Sequence, residues 1–588
     1  MALRRGVALV LSLIGMAVFV SVAGILLLYL MMSRGPSVPE RAALVLRPGG
    51  ELHEVVPDDV VGQLIGRDTA TVRGFVENLR LAKRDPRIRS VVLMPSALEV
   101  PFWGKVQELR DAVLDFRESG KAVTAFLEYG GEREYYLASA ADRVFLLPTS
   151  PLDLTGVASY EVFLRGALDN IGAYPDFIHI GEYKTAVNTF TERTFTPAHR
   201  EMAESLNRDM YEQLVRDIAM GRKKTPAEMR ALIDQGPFSP EDALRAGLVD
   251  DLAYEDQLDD RVPELRTGSE PARRIDGTDY QRVSPRSLGF SPRARIAVLY
   301  AVGTIVSGRS GFDPVNGTVV GSETVVEQIR RVRDDDSIKA IVLRVDSPGG
   351  SSIASDVIWR ELMITRDTNP ARPLVVSMGD LAASGGYYIA MPGHVIVAQP
   401  ATLTGSIGIF TGKFVVRGTM EKLGVTTETV QSGKNATVNS PFQQFSPEQR
   451  AKVLDYMQGF YDNFVEKAAE SRHTTPERID AVAQGRVWTG RQARQNGLVD
   501  ELGGLNEAIE IAKARAKIPA GEDVEVVLYP ARRSIYEALT EQFGTAGFSA
   551  WSLLAGDAER KAIAALTAPA RLFRRGEPLA LMPFAFIQ

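Results

Sequence analysis

The stretch IRSVVL, residues Ile88–Leu93, returns 250 residues later as IKAIVL, residues Ile338–Leu343. The same displacement relates FTPAHR (Phe195–Arg200) to FSPEQR (Phe445–Arg450), and AGLVDDL (Ala246–Leu252) to NGLVDEL (Asn496–Leu502). A fixed displacement that holds over three motifs in the same order indicates an internal repeat. The chain therefore contains one structural unit twice.

Each copy alternates short β-branched runs with amphipathic segments. In the second copy, the amphipathic stretch SETVVEQIRRVRDD (322–335) precedes the apolar stretch AIVLRV (340–345). Strands that alternate with helices predict parallel pairing, so the expected fold class is α/β. We expect the copies to span residues 35–265 and 296–530, with a Gly-, Pro- and Arg-rich linker over 266–295 between them. The C-terminal tail over 531–588 is expected to cover a surface or to touch a membrane.

The N-terminus has the composition of a membrane anchor. Arg4 and Arg5 precede an uncharged, mostly apolar run over residues 6–32. At about 1.5 Å per helical residue, this run is long enough to cross a hydrocarbon core of about 30 Å. We therefore predict an uncleaved transmembrane helix within residues 1–34, and a cleaved secretory signal is the alternative. Two arginines before the run, against Arg34 after it, favour an exported body.

The composition excludes several classes of function. A net charge of −6, without a long basic block, argues against a nucleic-acid partner. The absence of cysteine excludes disulfides, thiolate catalysis and Cys-ligated zinc. The five histidines form no ligand-spaced cluster with acidic residues. The sequence therefore predicts neither a metal nor another cofactor.

The two copies differ where a nucleophile is expected. In GDLAASGGYYIAMP (379–392), Ser384 stands at a predicted strand-to-helix turn. In this region the displacement is 252, because the Tyr-Tyr pair at 135–136 matches the pair at 387–388. Ser384 then lies opposite Glu132, so only the second copy offers a nucleophilic hydroxyl.

Only the first copy offers a basic partner for that hydroxyl. In IGEYKTAVNTF (180–190), Lys184 aligns with Ala436 at the same displacement of 252, whereas Lys434 aligns with Glu182 and is not its equivalent. A lysine accepts a proton only when it is neutral, and burial lowers its pKa because desolvation penalises the ammonium. We predict that Lys184 is buried, has a depressed pKa and takes the proton of the serine, within one chain or between neighbouring chains.

A glycine-containing loop provides candidate oxyanion donors. In LRVDSPGGSS (343–352), a predicted strand is followed by Gly349 and Gly350. Backbone N–H groups at such glycines can approach a developing oxyanion closely, and the N–H of Gly385 beside the nucleophile is a further donor. The first copy has the dipeptide Glu99–Val100 at the two glycine positions, so it lacks this loop as well.

With the duplication, the motifs DSPGG (346–350), AASGGYY (382–388), LTGSIGI (403–409) and GEYK (181–184) resemble the long form of the signal peptide peptidase A family. The resemblance covers the anchor, the linker and both copies. It implies tandem crotonase-like (Clp/crotonase) domains, a membrane-anchored homotetramer, and a bacterial inner-membrane location with the catalytic body on the periplasmic side. It further implies that Ser406 orients the lysine, and the first copy has Val157 at that position.

Together these features predict a membrane-anchored serine endopeptidase with a dyad of Ser384 and Lys184. Its expected partners are cleaved signal peptides and other short apolar peptides, and membrane lipid around the anchor. A non-catalytic membrane scaffold is the main alternative, although a scaffold needs neither dyad residue. Crotonase-type acyl-CoA chemistry is a second alternative. A triad with His394 is a third, and it requires an acidic orienting residue as well.

Overall fold

The computed structural model describes residues 37–55, 71–313, 317–530, 578–582 and 586–587, together with four single positions between residues 16 and 24. Within those residues, no helix is both long and apolar enough to cross a membrane. The predicted anchor over residues 1–34 lies almost wholly outside the described residues.

The first copy of the repeat forms a six-stranded parallel sheet. Its strands, in spatial order, are Arg274–Asp276, Ala42–Leu46, Ile88–Leu93, Ala122–Leu127, Arg143–Leu146 and Asp251–Leu252. The central strands are almost completely buried, as expected for a parallel sheet that is covered on both faces. The helices of this copy are Val72–Arg84, Gly104–Arg117, Glu132–Ala138, Arg165–Ile171, Asn188–Thr191, Pro197–Gly221, Pro226–Ile233, Pro240–Arg245, Leu258–Arg261 and Gly277–Tyr280.

The second copy repeats this order of neighbours. Its parallel strands are Val524–Tyr529, Ala294–Val302, Ile338–Ser347, Leu374–Ala383, Val395–Ala398 and Glu501–Leu502, and Leu403–Gly405 and Val487–Thr489 extend the sheet. Its helices are Ser322–Asp334, Ser352–Thr368, Gly385–Ala390, Arg417–Lys422, Pro447–Ser471, Pro476–Asp480, Gly490–Gln495 and Leu505–Arg515. The predicted α/β class is confirmed, and the duplication is visible directly in the strand order.

The matched motifs FTPAHR and FSPEQR begin the two longest helices. Thr196 and Ser446 are the N-caps, and their hydroxyls accept the N–H of His199 at 3.3 Å and of Gln449 at 3.2 Å. In both helices a proline follows the cap, where its missing N–H costs no hydrogen bond. Each helix then runs for 25 residues. The two copies of the repeat therefore share the residues that start their equivalent helices.

A third sheet joins the two copies. Its strands, in spatial order, are Gly311–Asp313, Gly317–Gly321, Thr304–Val306, Gly349–Ser351, Leu579–Leu581, Ile409–Val415 and Tyr174–Ile180. The last strand belongs to the first copy and pairs antiparallel with Ile409–Val415 of the second copy along its whole length. This pairing carries the chain segment before Lys184 across to the second copy. Smaller pairs join Arg266–Thr267 to Glu270–Pro271, Gly49–Gly50 to Ser96–Leu98, and Ser159–Tyr160 to Phe586–Ile587.

Residues 266–295, expected to form a linker, fold onto the first copy instead. The strand Arg274–Asp276 pairs in parallel with Ala42–Leu46, just as Val524–Tyr529 pairs with Ala294–Val302 in the second copy. A three-residue strand within a Gly- and Arg-rich stretch is too short to show a recognisable apolar pattern. The first copy therefore extends into the segment that was assigned to the linker.

The described part of the C-terminal tail is not a surface cover. Residues 578–582 are buried, and the strand Leu579–Leu581 lies inside the third sheet. It pairs antiparallel with Gly349–Ser351 on one side and at Phe410 on the other. The sequence did not predict that these five residues enter the sheet, because three apolar residues carry no information about where they bind.

Candidate active site

Ser384 follows the strand Leu374–Ala383 and is the N-cap of the short helix Gly385–Ala390. Its backbone has φ 56° and ψ −113°, a conformation that residues other than glycine rarely adopt. Its N–H donates to the carbonyl of Gly405 at 2.7 Å, and its own carbonyl accepts the N–H of Tyr388 at 2.9 Å. These bonds hold a sharp strand-to-helix turn, which is a geometry that presents a nucleophilic hydroxyl.

The amine of Lys184 reaches this hydroxyl from the first copy. Lys184 comes four residues after the strand Tyr174–Ile180, and its Nζ lies 2.7 Å from Ser384 Oγ. The lysine side chain is fully buried, and burial lowers the pKa of Lys184 well below its ordinary value of 10.5. The structure thus brings together, within one chain, the two side chains that the sequence analysis paired.

Ser406 makes the other contacts of the amine. Its Oγ and its carbonyl oxygen each lie 3.0 Å from Lys184 Nζ. Ser406 has a φ of 51°, and its N–H donates to the carbonyl of Arg486 at 2.7 Å. A neutral amine has two N–H groups and one lone pair, so three oxygen partners satisfy it completely. The structure therefore brings Ser406 next to the lysine, together with Ser384.

A close contact between two turns sets the position of Lys184. The N–H of Tyr183 donates to the carbonyl of Gln484, and the N–H of Gly485 donates to the carbonyl of Ile407, both at 2.7 Å. A Cβ added to Gly485 would lie 2.5 Å from the Cα of Lys184 and 2.6 Å from its Cβ, so only glycine permits this approach. Gly485 could not be predicted from the sequence, because an isolated glycine without reactive atoms gives no signal of its partner.

The turn that carries Lys184 has an equivalent in the second copy. Gly181 and Gly433 both have a φ of 102°, and their carbonyls accept the N–H of Lys184 at 3.2 Å and of Ala436 at 3.3 Å. A Cβ added to Gly181 would lie 2.5 Å from the carbonyl oxygen of Gln484, whereas one added to Gly433 would meet nothing within 4 Å. The two turns share a conformation, but only the first is docked against the other copy.

The glycine loop Gly349–Gly350 lies against the turn that carries Ser384. The two glycines have φ values of 102° and 152°, in the region that favours glycine. A Cβ added to Gly349 would lie 2.7 Å from the backbone nitrogen of Gly385 and 3.0 Å from the carbonyl oxygen of Ala383. The predicted oxyanion donors therefore come from two backbone segments that are in direct contact beside the hydroxyl.

The matching position in the first copy carries a carboxyl group. Glu132 begins the helix Glu132–Ala138, and its Oε1 accepts the N–H of Thr155 at 3.2 Å and of Gly156 at 2.8 Å. Burial raises the pKa of Glu132 to about 7. Where the second copy presents Ser384, the first copy thus presents an acid that is bound to its own backbone.

His394 lies beside the first residue of the strand that leads to Ser384, which is the wrong end of that strand for a catalytic triad. Its Nδ1 accepts the N–H of Leu374 at 3.0 Å, and burial lowers the pKa of His394. Leu374 is the first residue of the strand Leu374–Ala383, whereas Ser384 follows the last. The two residues therefore lie at opposite ends of this ten-residue strand. Among the described residues, no group of three or more His, Asp and Glu side chains is arranged to hold a metal ion.

Buried charges connect the first copy to the loops that surround Ser384. Lys105 stands in the first turn of the helix Gly104–Arg117, its Nζ lies 2.7 Å from Asp346, and its N–H donates to Asp380 at 2.8 Å. Asp346 precedes the glycine loop, and Asp380 lies four residues before Ser384. Burial raises the pKa of Asp380 to about 6, although the ammonium of Lys105 acts against this shift.

A second buried group of charges, centred on Arg344, lies next to the group around Lys105. Arg344, which is fully buried, binds Glu54 at 2.7 Å and Glu108 at 2.6 Å, and both carboxylates belong to the first copy. Glu108 also accepts the N–H of Leu505 at 2.8 Å. Burial opposes the charge on Arg344, but the two carboxylates outweigh it and raise the pKa of Arg344. Buried ion pairs between the two copies thus hold the segments that surround the candidate site.

Comparison with known proteins adds an independent observation. The model of Peptidase family S49 matches residues 115–267 and residues 366–519, which is one match in each copy of the repeat. The chain belongs to peptidase family S49. The predicted family resemblance and the prediction of a serine peptidase are thereby confirmed.

Named relatives of this S49 peptidase come from a plant and from a bacterium. It is 36% identical over 456 residues to the chloroplastic serine protease SPPA of Arabidopsis thaliana, a match that covers 77% of this chain and 66% of that protein. It is 36% identical over 455 residues to Protease 4 of Salmonella typhi, which covers 76% of this chain and 72% of that protein. A solved structure of the membrane-bound stomatin-specific protease 1510-N matches 41% of this chain and 100% of its own, at 16% identity and a TM-score of 0.26.

Proposed function

We propose that this S49 peptidase is an endopeptidase in which Ser384 is the nucleophile and Lys184 is the general base. The observation that carries the proposal is the distance of 2.7 Å between Lys184 Nζ and Ser384 Oγ, with both side chains fully buried. Burial lowers the pKa of Lys184 well below its ordinary value, so the amine can be neutral under conditions in which a solvated lysine is charged. A neutral amine next to a hydroxyl is the activated nucleophile that peptide-bond cleavage needs.

The contacts of the amine leave its lone pair for Ser384. Its two N–H groups can donate to the hydroxyl and carbonyl oxygens of Ser406, both at 3.0 Å. The lone pair then faces Ser384, whose O–H donates to it. Ser406 is accordingly proposed as the residue that orients the base.

The cleavage reaction follows from these positions. The oxygen of Ser384 forms a bond to the carbonyl carbon of the peptide while its proton moves to Lys184. The negative charge that develops on the carbonyl oxygen is stabilised by the backbone N–H groups of Gly350 and Gly385, whereas the N–H of Gly349, also predicted as a donor, is bonded to Ser347 Oγ at 3.2 Å. Lys184 then gives its proton to the departing amine, which leaves an ester on Ser384. Water hydrolyses that ester, with the lysine again taking and returning the proton.

Apolar side chains beside the dyad support short apolar peptides, cleaved signal peptides among them, as the substrates. An apolar cluster contains Ala186 and Val187, which follow the lysine by two and three residues, together with Phe177, Phe190 and Phe410. Each buried apolar side chain of a bound peptide gains roughly 25 cal/mol per Å² of surface that it removes from water. The same dry surroundings keep the lysine neutral, so the substrate class and the mechanism depend on one property of the site.

We also propose that residues 1–34 anchor the peptidase in the bacterial inner membrane, with the body on the periplasmic side. The uncharged run over residues 6–32 behind Arg4 and Arg5 supports the anchor. The repeated sheet order supports tandem crotonase-like domains as the fold of the body. Fractionation checks the location: the full chain should stay with membranes after a high-salt wash, and a variant without residues 1–34 should be released.

A closed homotetramer is the assembly that we propose. Within one chain, the strand Tyr174–Ile180 is covered by its pairing with the second copy. Its equivalent in the second copy, residues 426–432, is largely exposed, including Val430, and the preceding Leu423 is exposed as well. The same contact, made to the first copy of the next chain, would cover this segment, and contacts of this head-to-tail kind close into rings. Sedimentation should give four chains for the wild type and fewer for Val430→Glu.

A serine-reactive acylating probe tests the dyad. The wild type is expected to be labelled at Ser384, Ser384→Ala not at all, and Lys184→Ala at least about 100-fold more slowly because it lacks the base. Lys434→Ala is the matched control, since it removes an exposed lysine from the equivalent turn of the second copy. Intact-mass spectrometry over time gives the rates. Equal labelling of all four proteins would remove the catalytic assignment.

A further inference from the structure

The strand Leu579–Leu581 fills a gap that is one strand wide. On one side it pairs antiparallel with Gly349–Ser351, and on the other it pairs at Phe410 with Ile409–Val415. We call the space between these two flanking strands the slot. One wall of the slot contains the glycine loop, and the other pairs with the strand Tyr174–Ile180, which leads to the lysine. The tail strand therefore lies between the strand that contains the glycine loop and the strand that pairs with the segment leading to Lys184.

Hydrogen bonds at both ends fix the register of the tail strand. The N–H of Met582 donates to the carbonyl of Pro348 at 2.9 Å. At the other end, the carbonyl of Pro578 accepts the N–H of Ser352 at 3.4 Å and its hydroxyl at 2.9 Å. Hydrogen-bonded pairs alternate along an antiparallel ladder, so the next such pair between these ends is formed by Gly350 and its partner in the tail.

That partner is Ala580, which presents its carbonyl to the candidate oxyanion donors. Ala580 is paired with Gly350, so its carbonyl oxygen faces the N–H of that glycine. A Cβ added to Gly349 would overlap this oxygen, and one added to Gly385 would lie 3.2 Å from it. The oxygen thus lies between the glycine loop and the residue that follows the nucleophile. A substrate would place the carbonyl oxygen of its cleaved bond in the same position.

The leucines on either side of Ala580 are held by apolar side chains. Leu579 is 2 % exposed and Leu581 is 4 % exposed. They belong to the apolar cluster that contains Phe177, Ala186, Val187, Phe190 and Phe410. The tail strand therefore matches, in backbone and in side chains, the apolar extended peptide that the proposed function assigns to this site.

We propose that the C-terminal strand Leu579–Leu581 is an intramolecular ligand of the substrate slot, which peptide substrates must displace in order to bind. The inference rests on the proposed function in taking the slot as the substrate site. A covalently attached strand is not diluted, so it competes at a fixed effective concentration. The apparent affinity for a substrate is then reduced by the fraction of molecules whose slot is open.

Two deletion variants separate the tail strand from the rest of the C-terminus. One lacks residues 583–588 and keeps the strand, and the other lacks residues 578–588. Both lose the pair between Phe586–Ile587 and Ser159–Tyr160, so their difference reports the tail strand alone. Suppose that the tail strand occupies the slot in nine molecules out of ten. The variant without residues 578–588, the shorter protein, should then show about tenfold higher kcat/KM on an apolar peptide, mainly through a lower KM.

A binding assay gives a readout that does not need catalysis. Both deletions are made in the Ser384→Ala background, and a fluorescent peptide with the sequence of residues 578–582, PLALM, is titrated by anisotropy. The shorter protein should bind it at least about tenfold more tightly, and the peptide PDADM should bind neither. Equal affinity of the two proteins for PLALM, together with equal kcat/KM, would overturn the inference.

The outcomes also distinguish this inference from the proposed function. If PLALM distinguishes the two deletions but neither hydrolyses any peptide, the proposed mechanism fails and the tail inference stands. If both hydrolyse peptides equally well and bind PLALM equally, the tail inference alone fails. Should the shorter protein not fold, the full chain with Leu579→Asp and Leu581→Asp replaces it, since two charges expel the strand from its apolar cluster.

Discussion

The backbone of Gly485 lies directly against the backbone of Lys184, so that a Cβ on the glycine would come within 2.5 Å of the lysine Cα. The two residues belong to different copies of the repeat. The glycine thus positions the turn from which the amine reaches Ser384. The position of Lys184 in the first copy therefore depends on a residue of the second copy.

Replacing this glycine tests how closely the dyad depends on that contact. Gly485→Ala is expected to displace the lysine turn and to lower kcat by about 100-fold, because a shift of about 1 Å at a catalytic group costs that much. Gly497→Ala is the matched control, since Gly497 has a φ of 78° close to the 77° of Gly485 but has nothing within 4 Å of an added Cβ. Unchanged kcat in Gly485→Ala would show that the turn adapts without loss of geometry.

Lys184→Met is expected to change how stability depends on pH. Burial lowers the pKa of Lys184 in the folded protein, whereas in the unfolded chain it is about 10.4. Between these two values the unfolded state binds one more proton, so the wild type loses stability as the pH falls through this window. The variant lacks that loss. Its free energy of unfolding relative to wild type should therefore rise by about 1.4 kcal/mol for each unit by which the pH falls within this window.

Denaturant unfolding between pH 7 and 10 measures this difference. Ser384→Ala provides the control, because it keeps the lysine and should follow the wild type across the range. A free-energy difference between Lys184→Met and wild type that stays constant with pH would mean that the folded protein keeps the lysine charged.

Ser406→Ala is expected to lower kcat by about 10- to 100-fold with little change in KM. The variant removes one of the three oxygen partners of the amine, so the lone pair is no longer held towards Ser384. Steady-state kinetics on an apolar peptide measures the effect. The double variant with Lys184→Ala should be no slower than Lys184→Ala alone, because residues that act as a unit are not additive. A further loss in the double variant would give Ser406 a role apart from the lysine.

Lys184 and Ser384 could be paired from the sequence because each copy of the repeat serves as a template for the other. A constant displacement shows which position each residue would occupy in the other copy. One copy lacks the hydroxyl and the other lacks the amine, so the two halves of a single site are recognised as complementary. The structure adds that they meet within one chain, at 2.7 Å.

The features that escaped prediction are contacts between short segments that lie far apart in the chain. Gly485 carries no reactive atom, and the strands Arg274–Asp276 and Leu579–Leu581 are three residues long. A strand of that length shows no periodicity from which its neighbours could be derived. The partners of these segments are set by the shape of the folded copies, which local pattern does not encode.

Lys105→Met is expected to weaken the junction between the two copies. The variant keeps the backbone N–H bond to Asp380 but removes the ammonium, which lies 2.7 Å from Asp346 and 3.7 Å from Asp380. Removing one member of a buried pair costs about 3 kcal/mol of the free energy of unfolding. The cost should be smaller at pH 5 than at pH 8. Burial already raises the pKa of Asp380 to about 6, and loss of the cation raises it further, so protonation relieves the unpaired charge as the pH falls.

A double-mutant cycle with Asp346→Asn distinguishes a direct pair from a general effect on the fold. If Lys105 acts through Asp346, the two losses should not add, and the coupling should be about 1–3 kcal/mol. Asp346 Oδ1 also accepts the N–H of Leu381 at 3.0 Å, so the pair holds the glycine loop and the strand before Ser384 in register. Lys105→Met should therefore also lower kcat, whereas Lys105→Arg, which keeps the charge, should restore most of it. Additive losses together with an unchanged kcat would restrict Lys105 to stabilising the fold.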